Sequence, residues 1–147
     1  ALWTASSLGR TAEVRQLLAD GADIHQRERR WKSSPLHAAS ERGHGEVVGL
    51  LLDKGAAVSA TSNLGSTPLH WAANEAVTRL LLEHGAEVSA KNNLGESPLH
   101  WAAIRGRESV VHLLMDTGAD VLSEAKDGRT PEGLATSRGH PQIAAMI

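Results

Sequence analysis

The 147-residue chain predicts an all-α solenoid of about five stacked helix-turn-helix units, with short hairpin or turn fingers along one side. Three observations predict it. The phrase Ser66-Thr67-Pro68-Leu69-His70-Trp71-Ala72-Ala73 returns as Ser34-Pro35-Leu36-His37-Ala38-Ala39 and as Ser97-Pro98-Leu99-His100-Trp101-Ala102-Ala103, with a worn copy from Thr130 to Ala135. The prolines of these copies lie 33, 30 and 33 residues apart, and Gly21, Gly55, Gly85 and Gly118 follow at 34, 30 and 33. A period near 33 marks a stacked repeat. Finally, the chain has no Phe, Tyr or Cys and only four Trp, so a thin core of Leu, Val and Ala suits it better than a sphere built on aromatics.

Each phrase reads as a helix start. Thr67 or Ser97 can cap the first turn by accepting from an orphan N–H, and proline suits the first helical position, where its missing N–H costs nothing. Leu69, Ala72 and Ala73 then fall at i, i+3 and i+4, one apolar face with alanines small enough for a second helix to press close. The first unit lacks the proline, but Leu2 and Ala5 stand where Leu36 and Ala39 recur, and Glu13–Leu18 forms its second helix. The glycines from Gly21 to Gly118 each end a second helix, where a left-handed residue is wanted.

The link from Gly21 to Pro35 is one residue longer than its counterparts, and Lys32 stands in it where the other tips carry glycine, so the first finger is expected to be distorted. The third unit is three residues short. Its deletion is placed at the junction of the two helices, one of which must lose about a turn. The fifth unit carries Glu132 and Gly133 in place of Leu and His; it is either a polar terminal unit or the edge of a longer protein. Units are expected over 1–23, 24–57, 58–87, 88–120 and 121–147 of a single domain.

Composition narrows the function. A formal charge of −2 gives no global attraction to nucleic acid or anionic membrane. Without cysteine there is no disulfide and no thiolate metal site. Apolar runs such as Leu50-Leu51-Leu52 are far too short to span a bilayer, and no signal-peptide pattern opens the chain. We therefore expect an intracellular protein, cytoplasmic or nuclear.

The motif T-P-L-H-x-A-A, with Gly-Ala-Asp/Glu about twenty residues on, resembles the ankyrin repeat, a β-turn followed by two antiparallel helices. The resemblance covers nearly the whole chain. It implies that His37, His70 and His100 hydrogen-bond between neighbouring repeats rather than serve a metal or a reaction. Successive copies, about 10 Å apart on a helix-packing scale, could not share a zinc with bonds of about 2 Å. No Ser-His-Asp or Cys-His arrangement, P-loop, H-E-x-x-H or EF-hand loop appears. No catalysis, cofactor or metal is expected.

What the resemblance implies instead is protein–protein recognition on the concave and finger surface. Trp31, Leu64 and Leu94 align in repeat register as a column along successive finger tips, and apolar residues in register at a surface mark contact sites. Arg27, Arg29, Arg30 and Lys32 flank Trp31 with one acid, Glu28, a composition that is either simply solvated or an interface anchor. Trp71 and Trp101 either pack at the edge between the helix layers or line the groove. The expected partner-binding residues are Arg27, Arg29, Arg30, Trp31, Leu64 and Leu94 at the fingers, with Glu41, Arg42, Asn74, Ile104 and Arg105 just after the first-helix alanines. The partner is expected to be a protein or peptide of acidic or hydrophobic character, not nucleic acid, bound by an adaptor, inhibitor or targeting module. The alternative is a regulatory or substrate-recruiting segment of a larger enzyme.

Overall fold

The computed structural model describes all 147 residues, which form nine helices and no strand. In chain order these are α1 (Leu2–Ser7), α2 (Thr11–Ala19), α3 (Pro35–Glu41), α4 (Gly45–Asp53), α5 (Glu75–Glu83), α6 (Pro98–Arg105), α7 (Glu108–Asp116), α8 (Pro131–Ser137) and α9 (Pro141–Met146). None is long and apolar enough to cross a membrane. The helices sort into two layers by their contacts. α1 packs on α3 and α6 on α8 in the inner layer, while α2, α4, α5, α7 and α9 follow one another in the outer layer.

The repeated phrase does what its residue types dictate, and one thing more. Ser34 and Ser97 cap α3 and α6 by accepting from the backbone N–H of His37 and His100. The imidazole returns the favour: Nδ1 accepts from the N–H of the capping residue, 3.2 Å at Ser34 and 3.1 Å at Ser97. The motif histidine is thus the third-position partner of a reciprocal capping box, a place usually held by Glu or Gln. Leu36, Leu69 and Leu99 are buried beneath it, and so are Leu51, Leu81 and Leu114 of the outer layer. One continuous apolar cluster runs from Leu2 to Ile143. Gly21, Gly55, Gly85 and Gly118 all sit at positive φ just past an outer helix, as expected.

The third unit departs from its neighbours more than its three-residue deletion suggests. All of the loss falls on the first helix, which is reduced to a turn of i→i+3 bonds from Thr67, Pro68 and Leu69 to His70, Trp71 and Ala72. The second helix, α5, keeps nine residues, as do α4 and α7. Deletion at the junction leaves α5 intact because Asn74 starts it at once, accepting from the Val77 N–H at 2.9 Å. The second unit supplies bonds in place of those of the lost helix: Ala73 N–H donates to the Ser40 carbonyl, and Asn74 Nδ2 donates to the Gly43 carbonyl.

The fingers are tight turns stitched side to side. Asn63 N–H donates to the Trp31 carbonyl, Asn93 to Leu64 and Lys126 to Leu94, each bond 2.8–2.9 Å. Lys32 does replace a glycine: at φ +55° it is the one non-glycine residue with positive φ. The distorted first finger is held by the Glu28 carboxylate, which accepts from the backbone N–H of Arg30, Trp31 and Ser33 and from the Ser33 hydroxyl.

Candidate recognition cleft and its histidine supports

Two ladders of side-chain bonds align the units and so position the inner surface. In the first, His37, His70 and His100 donate through Nε2–H to the carbonyls of Ser66, Glu96 and Arg129 in the following unit, at 2.8, 2.8 and 3.0 Å. Both ring nitrogens are engaged, one by the cap and one by the next unit, which fixes the neutral tautomer. Burial lowers all three pKa values, those of His37 and His70 to about 4; the carbonyl bonds only partly oppose it. Trp3 occupies the histidine slot of the first unit and keeps the link, its indole N–H donating to the Ser33 hydroxyl at 3.1 Å.

The second ladder was not foreseen. His44 reaches the Ser7 carbonyl at 3.0 Å and His140 the Ile104 carbonyl at 3.2 Å, each crossing back to the end of the preceding inner helix. Arg107 makes the corresponding reach to the Ala73 carbonyl, and Asn74 to Gly43. Glycine makes room for three of these side chains: a Cβ on Gly9 would lie 2.6 Å from the His44 ring, one on Gly43 2.7 Å from Asn74 Nδ2 and one on Gly106 2.5 Å from the His140 ring. The available signal was a glycine followed by a long polar residue, as in Gly43-His44, Gly106-Arg107 and Gly139-His140.

Between the fingers and the inner layer lies an open cleft of about 280 Å³, lined by Trp31, Glu41, Leu64, Ser66, Trp71, Trp101 and Arg105. Four of the expected residues therefore meet at one place. Trp31 and Leu64 come down from the first two fingers, while Glu41 and Arg105 come from the ends of α3 and α6. Trp71 and Trp101 form the wall; they fill the edge of the helix layer and face the groove at once. Trp71 packs edge-on against His37 at 5.0 Å between ring centroids. Arg105 lies over the Trp101 ring at 5.1 Å and pairs loosely with Glu41 at 3.9 Å; desolvation weakens its hold on its proton and the Glu41 charge opposes this. Arg30 lies over Trp31 at 5.2 Å.

The remaining expected residues stand elsewhere. Leu94 continues the column beyond the cleft, 48% exposed beside 44% for Trp31 and 39% for Leu64. Arg27 donates to the Thr61 carbonyl and, with Arg29, faces a second cleft of about 250 Å³ beside Trp3. Arg42 is exposed at the end of α3. Asn74 is committed to capping α5 and to the Gly43 bond, and Ile104 is half-buried with its carbonyl engaged by His140.

Stacked helical pairs with a concave cleft and projecting turns define a repeat solenoid, a class in which each unit buries its apolar face only against its neighbours. A family model described as ankyrin repeats (3 copies) matches residues 2–92 and 75–147, and the chain belongs to that family. Among curated proteins it is similar to the E3 ubiquitin-protein ligase XBAT33 of Arabidopsis thaliana, 46% identical over 46 residues, which are 26% of this chain and 9% of the ligase. It is similar to the palmitoyltransferase Hip14 of Drosophila melanogaster, 35% identical over 72 residues, covering 48% of this chain and 11% of that protein. The 2-5A-dependent ribonuclease of Mus musculus matches at 40% over 60 residues, 41% of this chain and 8% of the ribonuclease. The chain spans about a tenth of the length of each of these relatives.

Proposed function

We propose that the chain is a non-catalytic protein-recognition module, an adaptor, inhibitor or targeting scaffold, whose partner covers the tryptophan cleft and the finger-tip column. The observation that carries this reading is the convergence of Trp31, Leu64, Trp71 and Trp101 on one open cleft. Ankyrin repeats in general serve protein–protein interaction, and Trp and Arg are the side chains most enriched at interface hot spots. At about 280 Å³ the cleft lies just below the ~300–1,000 Å³ of small-molecule sites, a size suited to a side chain from a partner.

The triple change Trp31→Ala, Leu64→Ser and Leu94→Ser tests it. These side chains are exposed, so the melting temperature should move little. Capture of a partner identified by affinity purification with cross-linking mass spectrometry should weaken by about 2 kcal/mol or more. Normal capture by the folded triple mutant would remove the fingers from the interface. A second reading is favoured by the relatives, whose names are those of enzymes and which match over a short part of their length. Here the chain is the regulatory or substrate-recruiting segment of a larger enzyme, and the full reading frame around it separates the two.

A further inference from the structure

We propose that the cleft takes an acidic peptide segment, with one large apolar side chain seated among Trp31, Leu64, Trp71 and Trp101 and flanking carboxylates on the cations of the first finger. The inference rests on the recognition reading above and names the chemistry of the partner.

Charge on the first finger, whose Trp31 lines the cleft, runs against the charge of the molecule. The chain carries −2 overall, yet four of its fifteen Lys and Arg lie between Arg27 and Lys32 with one acid among them. That acid does not neutralise them. Glu28 makes no ion pair; its carboxylate is occupied by three backbone N–H groups and a hydroxyl. Desolvation raises its pKa, but these bonds together hold it below the ordinary value. Arg29, Arg30, Lys32 and Arg42 are exposed and take part in none of the molecule's five Arg–carboxylate ion pairs. Two guanidinium groups are held at the cleft in advance, Arg30 over Trp31 and Arg105 over Trp101, which reduces the ordering cost that a bound carboxylate would otherwise bear. A cationic anchor would meet both of them. The opposing charge inside the cleft, Glu41, already leans toward Arg105.

The test uses the whole chain and short fluorescein-labelled peptides with a single Phe flanked by Glu, by Ser or by Lys, read by anisotropy and by the tryptophan emission of the chain. The Glu-flanked peptide should bind about tenfold or more tighter than the Lys-flanked one, with an advantage that shrinks as salt rises from about 50 to about 300 mM. Arg29→Glu with Arg30→Glu should reverse the preference, and Arg29→Gln with Arg30→Gln should abolish it, at unchanged melting temperature. Equal binding of the Glu and Lys peptides, a preference that survives both variants, no binding of the Glu peptide at about 1 mM, or tighter binding of a single-stranded oligonucleotide would each overturn the proposal. A separate arm replaces the peptide Phe by Ser. If the charge preference fails while Phe is still required, only the acidic partner is lost. If Phe is not required, the cleft is not the anchor site and the recognition reading fails with it.

Discussion

A buried imidazole whose two nitrogens are both engaged cannot take a proton without breaking something. In His37, Nε2–H already donates to the Ser66 carbonyl and Nδ1 accepts from the Ser34 N–H, so a second proton would have to sit on Nδ1 and oppose that N–H. The folded pKa of about 4 for His37 and for His70 lies below the unfolded value near 6.5, so the unfolded chain binds more protons between these limits. Stability is therefore complete above pH 6.5, falls as the pH drops toward 4, and His37 and His70 contribute no further slope below that. Each should contribute about 3 kcal/mol to the loss, and His100 adds in the same direction. Urea midpoints measured every half unit should fall as the pH drops across this window; a flat profile would mean that the rings titrate in the folded chain as they do in the unfolded one. The second ladder gives a complementary test. Gly106→Ala places a Cβ against the His140 ring at φ +71°, and should cost at least about 1 kcal/mol. Part of the steric term should return in Gly106→Ala with His140→Ala, a coupling that a double-mutant cycle measures. At this scale the sequence was half legible. The first ladder repeats one residue type in one phrase, whereas the second uses His, Asn, Arg and His in turn, and a glycine makes way for three of the four but not for Arg107, which reaches Ala73.

The third unit shows how an element disappears while the stack goes on. Its inner helix cannot close the roughly two turns that α3 and α6 make in the residues available. Asn74 instead caps α5 immediately and borrows acceptors from the second unit. Spacing alone located the deletion; it could not say which helix would yield, because that depends on Ser40 and Gly43, a repeat away, offering carbonyls at the right place. Hydrogen exchange should be faster for residues 68–74 than for the matching residues of α3 and α6, since an i→i+3 turn has fewer and poorer bonds than a helix. Asn74→Ala should cost about 1–2 kcal/mol in chemical denaturation by loss of the cap and should accelerate that exchange further. Equal protection across the three inner segments would show that the borrowed bonds fully replace the helix.

At the scale of the molecule, the fold was legible because a solenoid writes its architecture once per unit, and four copies of one phrase suffice to read it. The cleft was legible only in part. Trp31, Leu64, Glu41 and Arg105 stood out by position, but their meeting with Trp71 and Trp101 depends on how far each finger leans over the inner layer, a distance that no local pattern encodes. The third unit has one further consequence, which appears when the molecule carries tension. A solenoid pulled from its ends passes the load through every joint in series, so it extends at the joint with the least interlocking. Here that joint is expected at the reduced inner turn, where one backbone bond to Ser40 and the Asn74 side-chain bond to Gly43 carry load that a full helix would share. The chain is thus built with a preferred breaking place behind the wall of its own cleft, and stretching it would distort Trp71 before the outer helices part.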